Sequence, residues 1–307
     1  MNLAAFIDFD PRLVEEAVLL ATERAGGETA GRFRVERDPV YGLDSPEARE
    51  SAFGRLHARW FQALGLFDPI EDLLREHPAL VTSTSRCAIL MAGSRKQEGA
   101  DLHALSGPPA GTKAPKPPAL VIQLLPATLV DAPRLEELLR RELLHVADML
   151  DPAFGYEPTL PEVGEGASRQ NLLRDRYRVL WETTIDGRLE GRGLLPVGRR
   201  ARSLAEFAAT FPMLGPDMED SFRRFFETPR PAHADLLLFA TSAGAGTACP
   251  VCRFPTASLR QSGAGIDPET VAQIRRETPG WHPALGLCAQ CADLYTSRAV
   301  TQAYSAR

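Results

Sequence analysis

Four of the five cysteines fall in two pairs, Cys249-Pro250-Val251-Cys252 and Cys288-Ala289-Gln290-Cys291, with 35 residues between the pairs. Two thiolates two residues apart grip one metal ion from one side. A second such pair completes a tetrahedron, which is the geometry of a closed Zn²⁺ site. Four Cys ligands leave no position for a substrate, so the expected role is structural. Pro250 shapes a tight knuckle. The second pair opens a predicted helix whose N-terminal amides stabilise thiolate charge. Between the pairs, Asp267-Pro268-Glu269-Thr270 begins a further helix that runs to about Glu277. A module of roughly 75 residues with few aromatics has a marginal core, so metal binding contributes folding energy directly. Cys87 stands alone and is expected in the core.

The second chemical signal is Arg140 to Asp151, RRELLHVADMLD. On a helical wheel, Leu135, Leu138, Leu139, Val146, Met149 and Leu150 form one apolar stripe. Glu142 falls inside that stripe and His145 at its border. A carboxylate there is costly to bury unless it is paired, protonated or bound to metal. Arg141 and Asp148 lie beside His145 on the polar side.

The cysteine arrangement resembles the treble-clef or zinc-ribbon class of modules. The RELLH run from Arg141 to His145 resembles the active-site helix of the zincin metallopeptidases, whose motif is HExxH. The resemblance spans about residues 84–190, and only the short motif within it is specific. It implies Glu142 as general base and His145 as a metal ligand, with the preceding strand ALVIQLL lining a cleft. It also implies a third ligand, for which Asp151, or Glu182 or Asp186 in LWETTID, are the candidates. The first ligand position of the motif holds Arg141, whose guanidinium does not bind zinc at neutral pH.

Three readings of this helix follow. In the first, the site is degenerate: Arg141 takes the metal's place and pairs with Glu142 or Asp148. In the second, an altered metal site survives on Glu142, His145 and Asp148 or a later acid, since Glu-x-x-His can ligate metal. In the third, a buried His simply hydrogen-bonds a buried Glu.

Other elements must position these groups. Helices are expected over residues 11–25, 46–65, 70–76, about 131–150, 171–190, 203–211 and 217–227. Asp131 caps the fourth of these, with Pro133 in its first turn. Arg86–Ala92 and Ala119–Leu125 read as apolar strands. Ser106–Ala119 is too rich in Pro and Gly for regular structure, and the segment after Leu150 reads as a long loop packing back on its helix. Thr228–His233 reads as a linker. The expected fold class is α+β: a helical N-terminal region (1–80), a zincin-like strand-and-helix core (81–230) and a small C-terminal four-Cys zinc module (235–307).

The net charge of −5 argues against a sequence-blind nucleic-acid binder. A zinc module can serve nucleic acid, but the charge disfavours it, and a protein partner is the expectation. The basic cluster Arg199, Arg200 and Arg202 reads as a solvated helix face. The five histidines other than His145 are scattered: His57, His77, His103, His233 and His282 are expected at the surface or hydrogen-bonded. No stretch approaches a membrane span and no signal peptide is evident, so a soluble, cytosolic protein is expected. Phosphate-binding, dinucleotide and serine-hydrolase motifs are absent. The preferred function is a zinc-binding, metallopeptidase-like protein that has lost hydrolytic power and binds a protein partner. The rivals are an active metal-dependent hydrolase using Glu142 and His145, and a zinc-module adaptor on a helical scaffold.

Overall fold

The computed structural model describes residues 3–103, 117–162, 167–242, 249–253, 259 and 268–305. The expected loop at 106–119 and part of the loop before residue 167 therefore lie largely outside the described residues. The chain forms two compact units, Met1–Tyr156 and Glu157–Arg307. The fold class is α+β: mostly helix, with one small mixed sheet.

The first unit is built on strands β1 (Ile7–Phe9), β2 (Cys87–Met91), β3 (Gly99–His103) and β4 (Ala119–Leu124) in the order β1-β2-β4-β3. The strands β1, β2 and β4 run parallel, and β3 is antiparallel to β4. The two central strands, CAILM and ALVIQL, are nearly continuous apolar runs, as strands covered on both faces must be. The connection from β1 to β2 carries five helices: α1 (Pro11–Ala25), α2 (Gly27–Arg37), α3 (Pro46–Ala63), α4 (Asp68–Arg75) and α5 (Pro78–Ser83). After β4 come the short α6 (Pro126–Leu129) and the long α7 (Ala132–Leu150).

Local chemistry sets these boundaries. Asp10 caps α1 by accepting the Arg12 amide at 2.9 Å, and Pro11 fills the first turn, where a missing N–H costs nothing. Ser45 with Pro46, and Asp131 with Pro133, repeat the device at α3 and α7. The apolar stripe of α7 is buried as its periodicity requires: Leu135, Leu139, Leu143 and Val146 join Ile89, Leu120 and Ile122 in one core with Leu13, Ile70 and Leu74. Cys87 lies in that core, where burial pushes its thiol up to about 12. Glu98, just before β3, accepts the Leu125 amide at 3.0 Å and a guanidinium hydrogen bond from Arg134 at 3.3 Å. One carboxylate thus ties the exit of β4 to the first turn of α7. Phe154, beyond the end of α7, is buried.

The second unit begins with α8 (Ala167–Gly191), four residues longer at its start than the sequence pattern indicated. It packs with α9 (Arg199–Thr210), α10 (Met218–Phe226) and α11 (His233–Ser242). Leu173, Tyr177, Leu180 and Thr184 are buried as one stripe of α8, and Trp181 packs edge-on to Tyr177. Gly187 of α8 lies so close to α10 that a Cβ there would fall 1.6 Å from the Phe226 carbonyl oxygen. His233 is buried at the start of α11 and shares a 2.6 Å hydrogen bond with the Tyr177 hydroxyl. The solvated face expected at 199–202 is corrected at one residue. Arg199 is buried against Asp186, while Arg200 remains exposed and pairs with Glu190. The unit ends with α12 (Pro268–Glu277) and α13 (Ala289–Ser305). Among the described residues, no helix is long and apolar enough to cross a membrane.

Candidate metal centre

The two cysteine pairs meet. Cys249 to Cys252 turn back on themselves through a hydrogen bond from the Arg253 amide to the Cys249 carbonyl at 2.7 Å. Arg253 itself takes a left-handed backbone, φ 59°, which completes the knuckle. On the other side, Gly286 turns the chain with φ 68°, and its carbonyl accepts the indole N–H of Trp281 at 2.8 Å. That turn delivers Cys288 to the N-terminus of α13 and Cys291 to its first turn.

The sulfur positions form a cage. The Sγ atoms of Cys249 and Cys291 are 3.9 Å apart, those of Cys252 and Cys288 are 3.8 Å apart, and all four lie within 4.8 Å of one another. A metal ion about 2.3 Å from four tetrahedral sulfurs holds them about 3.8 Å apart. The observed edges therefore fit one four-coordinate ion. The backbone contributes N–H donors to sulfur: Cys288 to Cys249 and Cys291 to Cys288, each at 3.4 Å. These bonds stabilise thiolate charge, the form that binds metal.

Burial raises the Cys249 thiol, but the surrounding N–H groups of Cys252, Cys288 and Val251 overcome it and draw its pKa down to about 7. Cys291 is pushed the other way, by burial and by the neighbouring thiols of Cys252 and Cys288. Cys249, Cys288 and Cys291 are buried among Ile274, Trp281, Leu287, Ala292 and Tyr295, whereas Cys252 is exposed. Three of the four cysteines belong to the small core itself, so an ion held by them would couple its binding to the folding of this region.

The other candidate residues are placed as follows. On α7, Glu142 is half-buried, and its Oε2 lies 3.4 Å from the Ala100 amide of β3. Gly99 makes room for it: a Cβ there would sit 3.0 Å from the same oxygen. His145 is half-buried and Asp148 buried on the same helix. Asp151 is exposed and accepts the Ala153 amide at 2.8 Å, turning the chain out of α7. Glu182 and Asp186 belong to α8 in the second unit, where Glu182 accepts from Arg178 at 2.8 Å and Asp186 from Arg199 at 2.8 Å. Among the described residues, the four cysteines are the group of three or more His, Cys, Asp or Glu side chains whose ligand atoms gather closely enough for one ion.

Sequence reasoning missed two contributors. Gly99 carries no motif of its own and gains meaning only when β3 is laid beside α7. Arg169, at the start of α8, donates to the Arg253 carbonyl at 3.0 Å and so supports the knuckle across 84 residues of chain. No protein-family model, curated protein or solved structure matches this chain.

Proposed function

We propose that this is a zinc-binding protein in which a four-thiolate structural centre stabilises the C-terminal region. The chain also carries a metallopeptidase-like strand-and-helix unit that no longer hydrolyses peptides and serves to bind a protein partner. The observation that carries the zinc reading is the near-tetrahedral spacing of the four sulfurs, 3.8 and 3.9 Å along two edges. The closed set of four Cys ligands supports a structural rather than catalytic ion.

Support for the second part is of another kind. Strand β4 leads into α7, the antiparallel strand β3 lies at the sheet edge, and Glu142 faces that strand from the helix. The position of the motif's first ligand carries a guanidinium, which supports loss of a catalytic ion.

The test is metal content per chain by elemental analysis, on protein purified without added metal, with a peptidase assay alongside. The expected result is one zinc per chain, lost when Cys249 and Cys288 are changed to Ser, and no hydrolysis. A second ion that survives in that variant, together with hydrolysis abolished by Glu142→Gln, would establish the active hydrolase instead.

A further inference from the structure

We propose that Cys252 is an oxidation site for hydroperoxides, where a disulfide to Cys288 forms and the metal ion is released. This rests on the four-thiolate reading of the metal centre. Of the four ligands, Cys249 is 0% exposed, Cys291 5% and Cys288 8%, and only Cys252 is exposed. A soluble oxidant reaches this sulfur first. Site-selective oxidation follows thiolate character and access together, and a metal-bound sulfur has the first while Cys252 also has the second.

The resolving partner is already in place. The Cys288 Sγ lies 3.8 Å from that of Cys252, so a movement of about 2 Å closes an S–S bond. The knuckle also holds positive charge. The Arg169 guanidinium donates to the carbonyl of Arg253, the residue that follows Cys252.

The steps balance. The Cys252 thiolate attacks one oxygen of hydrogen peroxide; an S–O bond forms, the O–O bond breaks and hydroxide leaves. The Cys288 thiolate then attacks the sulfenic sulfur; the S–S bond forms and a second hydroxide leaves. Two protons from the acid form of the solvent buffer convert the hydroxides to water. The two sulfurs lose two electrons in all, and the peroxide gains them. Two thiolates remain, too few to retain the ion in a closed site. Because Cys288 sits in the core beside Trp281 and Leu287, losing the ion loosens the region around α13.

The experiment treats the full-length zinc-loaded chain with hydrogen peroxide. Zinc release is followed with a chelating dye, and the disulfide is mapped by mass spectrometry. The expected result is release of about one zinc per chain, a Cys252–Cys288 disulfide, and recovery on adding thiol reductant with zinc. The Cys252→His variant keeps a common zinc ligand at this corner, and its release should be at least about tenfold slower. Zinc retained under peroxide, equal release rates in the two proteins, or a disulfide joining Cys249 to Cys291 would each overturn the inference while leaving the zinc reading standing. A chain purified without any metal overturns the four-thiolate reading itself, and the inference with it.

Discussion

The carboxylate of Asp186, 0% exposed, accepts a hydrogen bond from the Arg199 guanidinium at 2.8 Å. The pair joins the C-terminal part of α8 to the first turn of α9. Arg199 also lies 3.7 Å from Glu206, one side of the same helix. Removing one partner of a buried pair leaves the other charged and desolvated, which costs about 3–5 kcal/mol. Asp186→Asn and Arg199→Met should each lower stability by that order in urea unfolding. The double change to apolar residues of similar volume should recover much of the loss. Single variants as stable as the parent would show that the pair carries no stability.

The approach of α8 to α10 rests on Gly187. A methyl group there would overlap the Phe226 carbonyl outright, and backbone cannot rotate away as a side chain can. Gly187→Ala should destabilise by about 3 kcal/mol or more, although alanine is the better helix former. A midpoint shift in denaturant is the readout. An unchanged midpoint would mean that the two helices separate freely at this point.

His57 is buried with its ring stacked between Phe33 and Phe53, at 6.0 and 5.9 Å between centroids. Burial moves its pKa below the ordinary 6.5; Glu15 opposes the shift and Arg37 adds to it. His233 is lowered in the same direction by burial, against Glu157. As pH falls below 6.5, the unfolded chain takes up protons that these folded histidines refuse. Stability therefore declines from about pH 6.5 down towards the lowered values, and is fully present above 6.5. His57→Phe should flatten the decline between pH 7 and 5. A slope identical to the parent's would rule out this residue.

Removing the ion should unfold one region and spare the rest. Trp281 is buried beside Leu287 and Cys288, and its indole N–H is bonded to Gly286. A strong chelator should shift its emission to the red, seen as the difference between the parent and Trp281→Phe. The first unit's core contains no residue of this cluster, so its unfolding transition should stay where it was. A chelator that moved both transitions together would join the two regions in one cooperative block. Acid should mimic the chelator, because protons compete for the thiolates.

What the sequence disclosed depended on whether a residue's role was local. The caps at Asp10, Ser45 and Asp131 are decided by the next three residues, and the helices they open were legible. The apolar runs of β2 and β4 were legible because both strands are covered on two faces. The two CxxC pairs were legible from spacing, and the helices beginning at Pro268 and Ala289 from the residues at their starts. The strand β3, GADLH, was not: its pairing with β4, rather than any alternation of its own, makes it a strand. Helix α2, GETAGRFRVER, buries only Phe33 and so shows no stripe. Helix α11, HADLLLFATS, is apolar nearly all round and gives no face to read. Arg199 looked like surface because the acid that neutralises it is 13 residues away on another helix. The exposure of Cys252 among three buried ligands is likewise a property of the folded knuckle, and no spacing rule carries it.

The parallel pairing of β1 with β2 sets Ile7 opposite Cys87, with five helices in the connection between them. During synthesis, β1 leaves the ribosome long before its neighbour exists. At about 5–20 residues per second, the strand waits roughly 4–16 s for β2, and longer for β4 to cover the pair. Over that interval Phe6, Ile7 and Phe9 have no sheet to join and are exposed to other nascent chains and to chaperones. Once β4 arrives, the N-terminal strand closes the sheet's far edge. The residues of β1, made before the rest of the sheet, are therefore among the last of this unit to take their places.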